Sequence, residues 1–358
     1  MTDLLVDLQR LLPLQVEGQQ FDSLEQWPAR ERALYRNCRF PTLHLQATGL
    51  AELRFENCTF GDIRIDGGRL DQVVFDRCNV QSIQADHAGW SQASWLKCEL
   101  GPVALTQSEV KGIQFIEGKA AALTLTQCTG RHTSLVELAL EQLQIHGGQW
   151  HDLTLANARA GSVEIMGVGL ERLLFGRSQF GTVVLSDGVA HTLTWYACHL
   201  DHLQMSQVHA HRLSWQDSQI DQAQVERCVM PQAQLAGSRL NRLTLSGCDL
   251  TQAIFDGAQL VDCDLRAIRA DKVSLRQARL TNVDLSGAQL NGLNATGAQV
   301  KGLRLNGTEC CDGVLHGQRE SDWAGAHLDG TEFTINPAMD DSLWWQTTRP
   351  GPKEGAFT

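Results

Sequence analysis

Every fifth residue of this chain is apolar over most of its length. The series begins Phe40, Leu45, Leu50, Phe55, Phe60, Ile65, Leu70, Phe75, Val80 and runs on to Leu305, Cys310 and Leu315. It holds 56 consecutive sites, none of them charged, and only Gly130 falls outside the apolar set. Against a hydrophobic content of 42% for the whole chain, such a run is not chance. A period of five fits neither a helix, which repeats every 3.6 residues, nor a strand, which alternates. It fits a coil in which each five-residue unit makes one side and one corner. The central residue i and residue i−2 point inward, and the other three face water. The expected fold is all-β, a four-sided parallel β-helix.

The i−2 sites sharpen the pattern. Those numbered 38, 48, 58 and so on to 308 are Cys, Gly, Ala, Ser or Thr at 24 of 28 places, whereas those numbered 43, 53, 63 and so on to 313 are Leu, Val or Ile at 21 of 28. The true repeat is therefore ten residues, and the cross-section is expected to be quasi-two-fold rather than square. A coil of twenty residues places residues twenty apart in one column. One such column reads Tyr35, Phe55, Phe75, Trp95, Phe115, Leu135, Leu155, Phe175, Trp195, Trp215, Leu235, Phe255, and another begins Cys38, Cys58, Cys78, Cys98. Aromatic rings concentrate in the first, as stacking at the strand spacing of ~4.8 Å requires. Trp195 follows Ala190 and Trp215 follows Ala210, the compensation that a core of crystal-like density demands. These tryptophans are read as packing.

With this register the chain resembles the pentapeptide-repeat family, whose pattern is roughly A-(D/N)-L-x-x. The closest units are CDLTQ at Cys248, CDLRA at Cys263, VDLSG at Val283 and AQLNG at Ala288; earlier units such as CRFPT, LRFEN and IRIDG keep the two inward positions but lose the Asp/Asn. The resemblance covers roughly residues 38–317 and implies a right-handed quadrilateral parallel β-helix of about 14 coils of 20 residues. At ~4.8 Å per coil the rod would be roughly 65–70 Å long.

Both ends of such a rod expose unpaired strand edges and need covers. Residues 1–37 are expected to form a helical cap. Leu4, Leu5, Leu8, Leu11 and Leu12 have helical spacing ended by Pro13, and Ser23 to Arg36 reads as a second helical segment interrupted by Pro28. Leu4, Leu8 and Leu11 are also the candidates for a partner-binding face. Residues 318–358 are expected to hold a frame-shifted last coil, a cap and a disordered tail. The next units, AHLDG and TEFTI, centre on Leu328 and Phe333, so HGQRESDWAG (316–325) should leave the barrel as a loop that presents Trp323 to a partner. DDSLWWQTT reads as a short helix capped by Asp340 or Asp341, with Trp344 and Trp345 either plugging the last coil or, together with those two acids, anchoring a partner.

Little in the sequence suggests chemistry. Nine of the eleven cysteines occupy inward i−2 sites, interchangeable with Ala and Ser, and read as small hydrophobes. No C-x-x-C pair, Gly-rich phosphate loop or G-x-S-x-G is present. Cys310–Cys311 is the one unusual pair. Histidines cluster at His191, His199, His202, His209 and His211, with His191 and His211 twenty apart and so stacked on an outer face. No catalytic residue, metal site or cofactor is expected. The N-terminus lacks the basic start of a secretory signal, and no run of about 20 apolar residues would span a membrane. The expected setting is a reducing cytoplasm.

A net charge of −11 argues against nucleic acid or an anionic membrane as partner. Two protein-binding roles remain. The first is a non-enzymatic scaffold or adaptor. Within the family that resemblance extends to accessory proteins of bacterial secretion, so the implied partner is an effector or a spike component of a type VI apparatus, or a second copy through an end cap. The alternative is a DNA mimic that binds DNA gyrase or another topoisomerase. Residues 1–36 carry −2 and residues 318–358 carry −4, leaving only −5 on the barrel. A B-DNA mimic wants about one negative charge per 1.7 Å, so the scaffold is preferred.

Overall fold

The computed structural model describes residues 14–333. It is a right-handed parallel β-helix of about 16 turns. Two 15-stranded sheets form its opposite sides, and every strand pairing in them is parallel. The first sheet runs from Leu14–Glu17 through Gly49–Glu56 to His209–Gln216; the second runs from Arg39–Gln46 to Gln299–Lys301. Partners lie twenty residues apart, as in Phe55↔Phe75 and Leu143↔Val163. At ~4.8 Å per turn the rod is roughly 75 Å long. No helix among the described residues is long and apolar enough to cross a membrane.

The inward frame is the one read from the sequence. Leu45, Phe55, Ile65, Leu135 and Trp195 are each 0% exposed. The aromatic column stacks: Tyr35 on Phe55 at 5.3 Å, Phe55 on Phe75 at 5.1 Å, Phe75 on Trp95 at 3.8 Å, and Phe175 on Trp195 at 5.4 Å between ring centroids. The cysteines at i−2 are free and buried. Their thiols donate to carbonyls of their own and neighbouring coils, as Cys98 does to Phe75 and Leu96. Burial pushes the Cys263 thiol up to about 11 and the Cys310 thiol up to about 12. Those two thiols are packing groups rather than nucleophiles.

Gly130, the gap in the apolar series, lies directly beneath Trp150 in the ladder. A Cβ built on Gly130 would sit 2.0 Å from Trp150 Cε3, so the missing side chain is the space the indole fills. Gly130→Ala should therefore destabilise the protein by about 1–3 kcal/mol through overpacking. Trp150→Leu in the same background should restore part of that loss. Additive effects in denaturant melts of the two single variants and the double would contradict this coupling.

The cross-section changes along the rod. From residue 139 to 226, both sides are continuous eight-residue strands such as Gln149–Ala156 and Gln219–Glu226, and left-handed residues recur every ten positions (Glu137, Gly147, Asn157, Gly167, Arg177). This is the quasi-two-fold coil expected from the alternation of small and large i−2 residues. The intermediate corner stays extended here, at sites that include Thr182 and Thr192; β-branched residues resist positive φ. Before residue 136 the first sheet has extra left-handed corners at Arg32, Glu52, Gln72, Gln92, Gly112 and His132, whereas the matching corners of the second sheet include Pro102, whose ring forbids positive φ.

From residue 228 onward the coil is square, which corrects the two-fold expectation for this stretch. Left-handed residues come every five positions, from Gln232 and Gly237 to Asp312 and Gly317. Many corners also close on themselves, for instance Ala253 N–H to Leu250 C=O at 2.9 Å and Ala288 N–H to Leu285 C=O at 2.9 Å. The positive φ at the third residue is the type II signature. At four of these corners the Asp or Asn that precedes the central residue braces the turn. The Oδ1 of Asp249, Asp284 and Asn294 accepts the backbone N–H two residues on, at 2.9, 3.0 and 3.1 Å, and so fixes the entry to the corner. Before residue 228 Asn79 is the only Asp or Asn at such a place, and no such brace is formed there.

The ends depart from the sequence expectation. Ser23 to Arg36 is not a helix among the described residues: a single 3-10 turn at Leu24–Gln26 leads into a strand at Glu31–Arg36. Ala33 and Tyr35 hold the inward positions of that strand, so the five-residue register already operates there and overrides the weak helical spacing. Ahead of it, Leu14–Glu17 pairs as Leu14↔Ala33 and Val16↔Tyr35, a spacing of nineteen. Phe21 consequently stacks on Phe40 at 5.5 Å, and Trp27 fills the space between Tyr35 and Phe40. At the other end Thr308↔Ala326 and Val314↔Glu332 are eighteen apart. The last coil is two residues short, which is the frame shift seen in the sequence. Residues 316–325 do not leave the barrel as a loop. They make a 3-10 turn at Glu320–Trp323 whose Trp323 is 0% exposed in the core.

Candidate interaction surface

Of the residues proposed from sequence to meet a partner, Leu4, Leu8, Leu11, Asp340, Asp341, Trp344 and Trp345 lie outside the described residues. Trp323 is removed from that set, because a fully buried indole offers a partner nothing. His191 and His211 do lie one above the other on the outer face, with ring centroids 5.5 Å apart and ring planes tilted by 60°.

Over much of the rod the outward side chains satisfy one another along the twenty-residue columns. Arg32 pairs with Glu52 at 3.0 Å, Arg36 with Glu56 at 2.8 Å, and Lys97 with Glu117 at 3.2 Å. Glu56 accepts from both Arg36 and Arg54, which holds its carboxyl below the usual range. Asp152 is held low in the same way, first by the hydrogen bond from Arg172. Exposed pairs of this kind add little stability each, but they leave these columns saturated.

The first sheet between residues 169 and 236 differs. Its strands Val189–Tyr196 and His209–Gln216 carry a single formal charge between them, Arg212. Four of the six exposed large apolar side chains among the described residues lie on this stretch: Leu174 at 39%, Val189 at 53%, Tyr196 at 43% and Val229 at 38%. Register groups them. Val189, His209 and Val229 follow one another in one column, while Leu174 sits one column from Tyr196. Around them stand Thr192, Thr194, Ser214 and Gln216, groups that hydrogen-bond without charge.

Beside Val189 the surface dips into an open depression of about 670 Å³. Gly167 and Gly169 form its floor, and His151, Glu171, His191 and His211 make one wall. The notch lies where Gly167 and Gly169 flank one corner without side chains, between Gln149 and Val189 of the neighbouring coils. His151 Nδ1 meets Glu171 Oε2 at 2.5 Å, and that hydrogen bond lowers the pKa of the carboxylate. An uncharged, partly apolar strip ending in a notch suits the side of another protein, with one of its side chains in the notch. Sequence reasoning located the histidines but not the strip. The strip is made of residues twenty apart, and no local motif marks it.

Residues 228–266 and 271–308 match the family model for pentapeptide repeats, in eight copies. A comparison with curated proteins finds no match. Among solved structures, the trypsin-treated form of QnrB1, a plasmid-mediated fluoroquinolone resistance protein, is 12% identical over 66% of this chain and 92% of its own, with a TM-score of 0.25. HetL, a pentapeptide repeat protein involved in heterocyst differentiation regulation in the cyanobacterium Nostoc sp. strain PCC 7120, is 16% identical over 81% of this chain and 89% of its own, with a TM-score of 0.17. Likeness at this level carries no argument about this chain, whose fold rests on its own ladders. The segments matched by the family model coincide with the square, Asp/Asn-braced coils. Residues 228–308 are therefore pentapeptide repeats, and the flatter coils before them are built on the same five-residue register.

Proposed function

We propose that this protein is a non-enzymatic interaction scaffold, an adaptor that holds a second protein against its first sheet. The observation that carries this reading is the strip of Leu174, Val189, Tyr196, His209 and Val229, exposed and nearly free of charge on a rod that elsewhere carries columns of ion pairs. A parallel solenoid keeps such residues in fixed relative positions, so its backbone does not have to order when a partner docks. From the resemblance of the repeat we further propose that the partner belongs to bacterial secretion, an effector or a spike component of a type VI apparatus. We place the scaffold in the cytoplasm, where its eleven free thiols would stay reduced.

The reading is tested by affinity capture from the native host with the full chain and with a Val189→Asp/Tyr196→Ala variant. Both positions are outward, so the variant should melt like the parent. A stoichiometric protein partner should be recovered, and its affinity for the variant should fall at least tenfold, about 1.4 kcal/mol. Capture of topoisomerase subunits alone would overturn the adaptor reading in favour of DNA mimicry. Undiminished capture by the variant would move the contact off this face.

A further inference from the structure

On the opposite side of the rod, the second sheet brings three metal-ligating groups together from two adjacent coils. His199 and Asp201 are two apart on the strand His199–Ser206 and therefore share its outer face. Asp221 lies on the next strand, Gln219–Glu226, just beyond the pair Leu200↔Ile220. His199 Nε2 is 3.0 Å from Asp201 Oδ1 and 3.7 Å from Asp221 Oδ2, and ligand atoms of all three lie within 4.8 Å of one another.

Asp221 is not simply a surface acid. Its side chain is 31% exposed. Its Oδ1 accepts two amide N–H groups, from Gln219 at 2.9 Å and from Asn241, one coil further on, at 3.1 Å. Both donors bind the same oxygen, so Oδ2 is left turned toward the imidazole. Outer-sphere donors that fix a carboxylate in this way are a regular accompaniment of metal ligands. Bonds of ~2.0–2.2 Å to imidazole and carboxylate place ligand atoms about 3.0–3.5 Å apart. The observed spacings need only small side-chain rotations to meet that requirement.

We propose that His199, Asp201 and Asp221 bind a divalent transition-metal ion. One nitrogen and two oxygens from one face leave the remaining coordination positions to water or to a group supplied by a partner. Such a mixed set, lacking thiolate, suits Zn²⁺, Co²⁺ or Mn²⁺ rather than copper(I) or an iron–sulfur cluster. The ion would tie two neighbouring coils through their outward columns, and it would neutralise two carboxylates that otherwise share a single imidazole.

The test uses the full chain. Titration calorimetry with ZnCl₂ should give one equivalent bound, with at least a tenfold loss of affinity in His199→Gln and in Asp221→Asn. His211→Gln, on the other sheet, should bind as the parent does. Melting of each variant without metal should match the parent, which separates loss of a ligand from loss of fold. The Co²⁺ complex should show the weak visible bands of nitrogen and oxygen ligation. Absence of binding, equal binding in all variants, loss only in His211→Gln, or an intense thiolate-to-cobalt absorption would each overturn the assignment.

Discussion

Leu285→Asp should unfold the square coils, while Asn282→Asp, three residues away, should leave the protein folded. Leu285 is 2% exposed, and its backbone is bonded on both sides, to Arg304 through its N–H and from Ala288 to its C=O. A carboxylate there would have no partner of its own, and the coil cannot open locally to reach water without breaking these ladders. The expected loss is several kcal/mol, a large fraction of the stability of an ordinary domain. Asn282 faces outward with φ of 56°, a conformation Asp tolerates nearly as well as Asn. It does donate from Nδ2 to Asp262 Oδ1 at 2.9 Å. Replacing it with Asp removes that bond and sets two carboxylates side by side, so the cost is about 1 kcal/mol at low salt and less as salt screens the pair. Urea melts of both variants decide the matter. Equal midpoints would mean that the five-residue frame is misassigned.

The second large effect is expected at Trp323. Removing a fully buried indole costs about 3–5 kcal/mol in a compact core. Here, however, the indole belongs to the terminal coil, and in a solenoid each coil contacts only its neighbours. Trp323→Ala should therefore release the short last coil without melting the rod. Hydrogen exchange should show lost protection near residues 308–333, with residues 240–300 unchanged. Uniform loss of protection along the chain would show that this coil is coupled to the whole barrel and is not a detachable end.

Different levels of the structure were legible to different degrees in the sequence. The inward frame and the twenty-residue coil were plain, because burial depends on side-chain polarity and both recur at fixed spacing. Ala33 and Tyr35 were assigned to a helical cap although Tyr35 heads the aromatic column. The slip to a nineteen-residue spacing moves the inward sites before it from multiples of five to Val16 and Phe21, which hid the first coil. The loop expected around Trp323 fails for a similar reason. A coil shortened by two residues looks like a broken repeat until the pairing of Thr308 with Ala326 is seen. Near residue 228 the corner changes, and Asp249, Asp264, Asp284 and Asn294 brace four of the corners beyond it. Those residues are visible as closer matches to the repeat, but the change of cross-section, which begins before them, is not. The uncharged strip and the His199 cluster join residues from separate coils, and their meaning emerges only once the columns are laid side by side.

The uniform spacing between the two short end coils makes the rod a ruler. A docking point near residue 190 and another near residue 290 lie five graduations apart, and each graduation is one strand spacing of ~4.8 Å. Gain or loss of twenty residues between them would change their separation by one graduation and keep both on the same side. Gain or loss of ten would carry everything beyond it to the opposite side. A lineage that adjusts the reach of such a protein is thus confined to whole coils, and its length is inherited in integers.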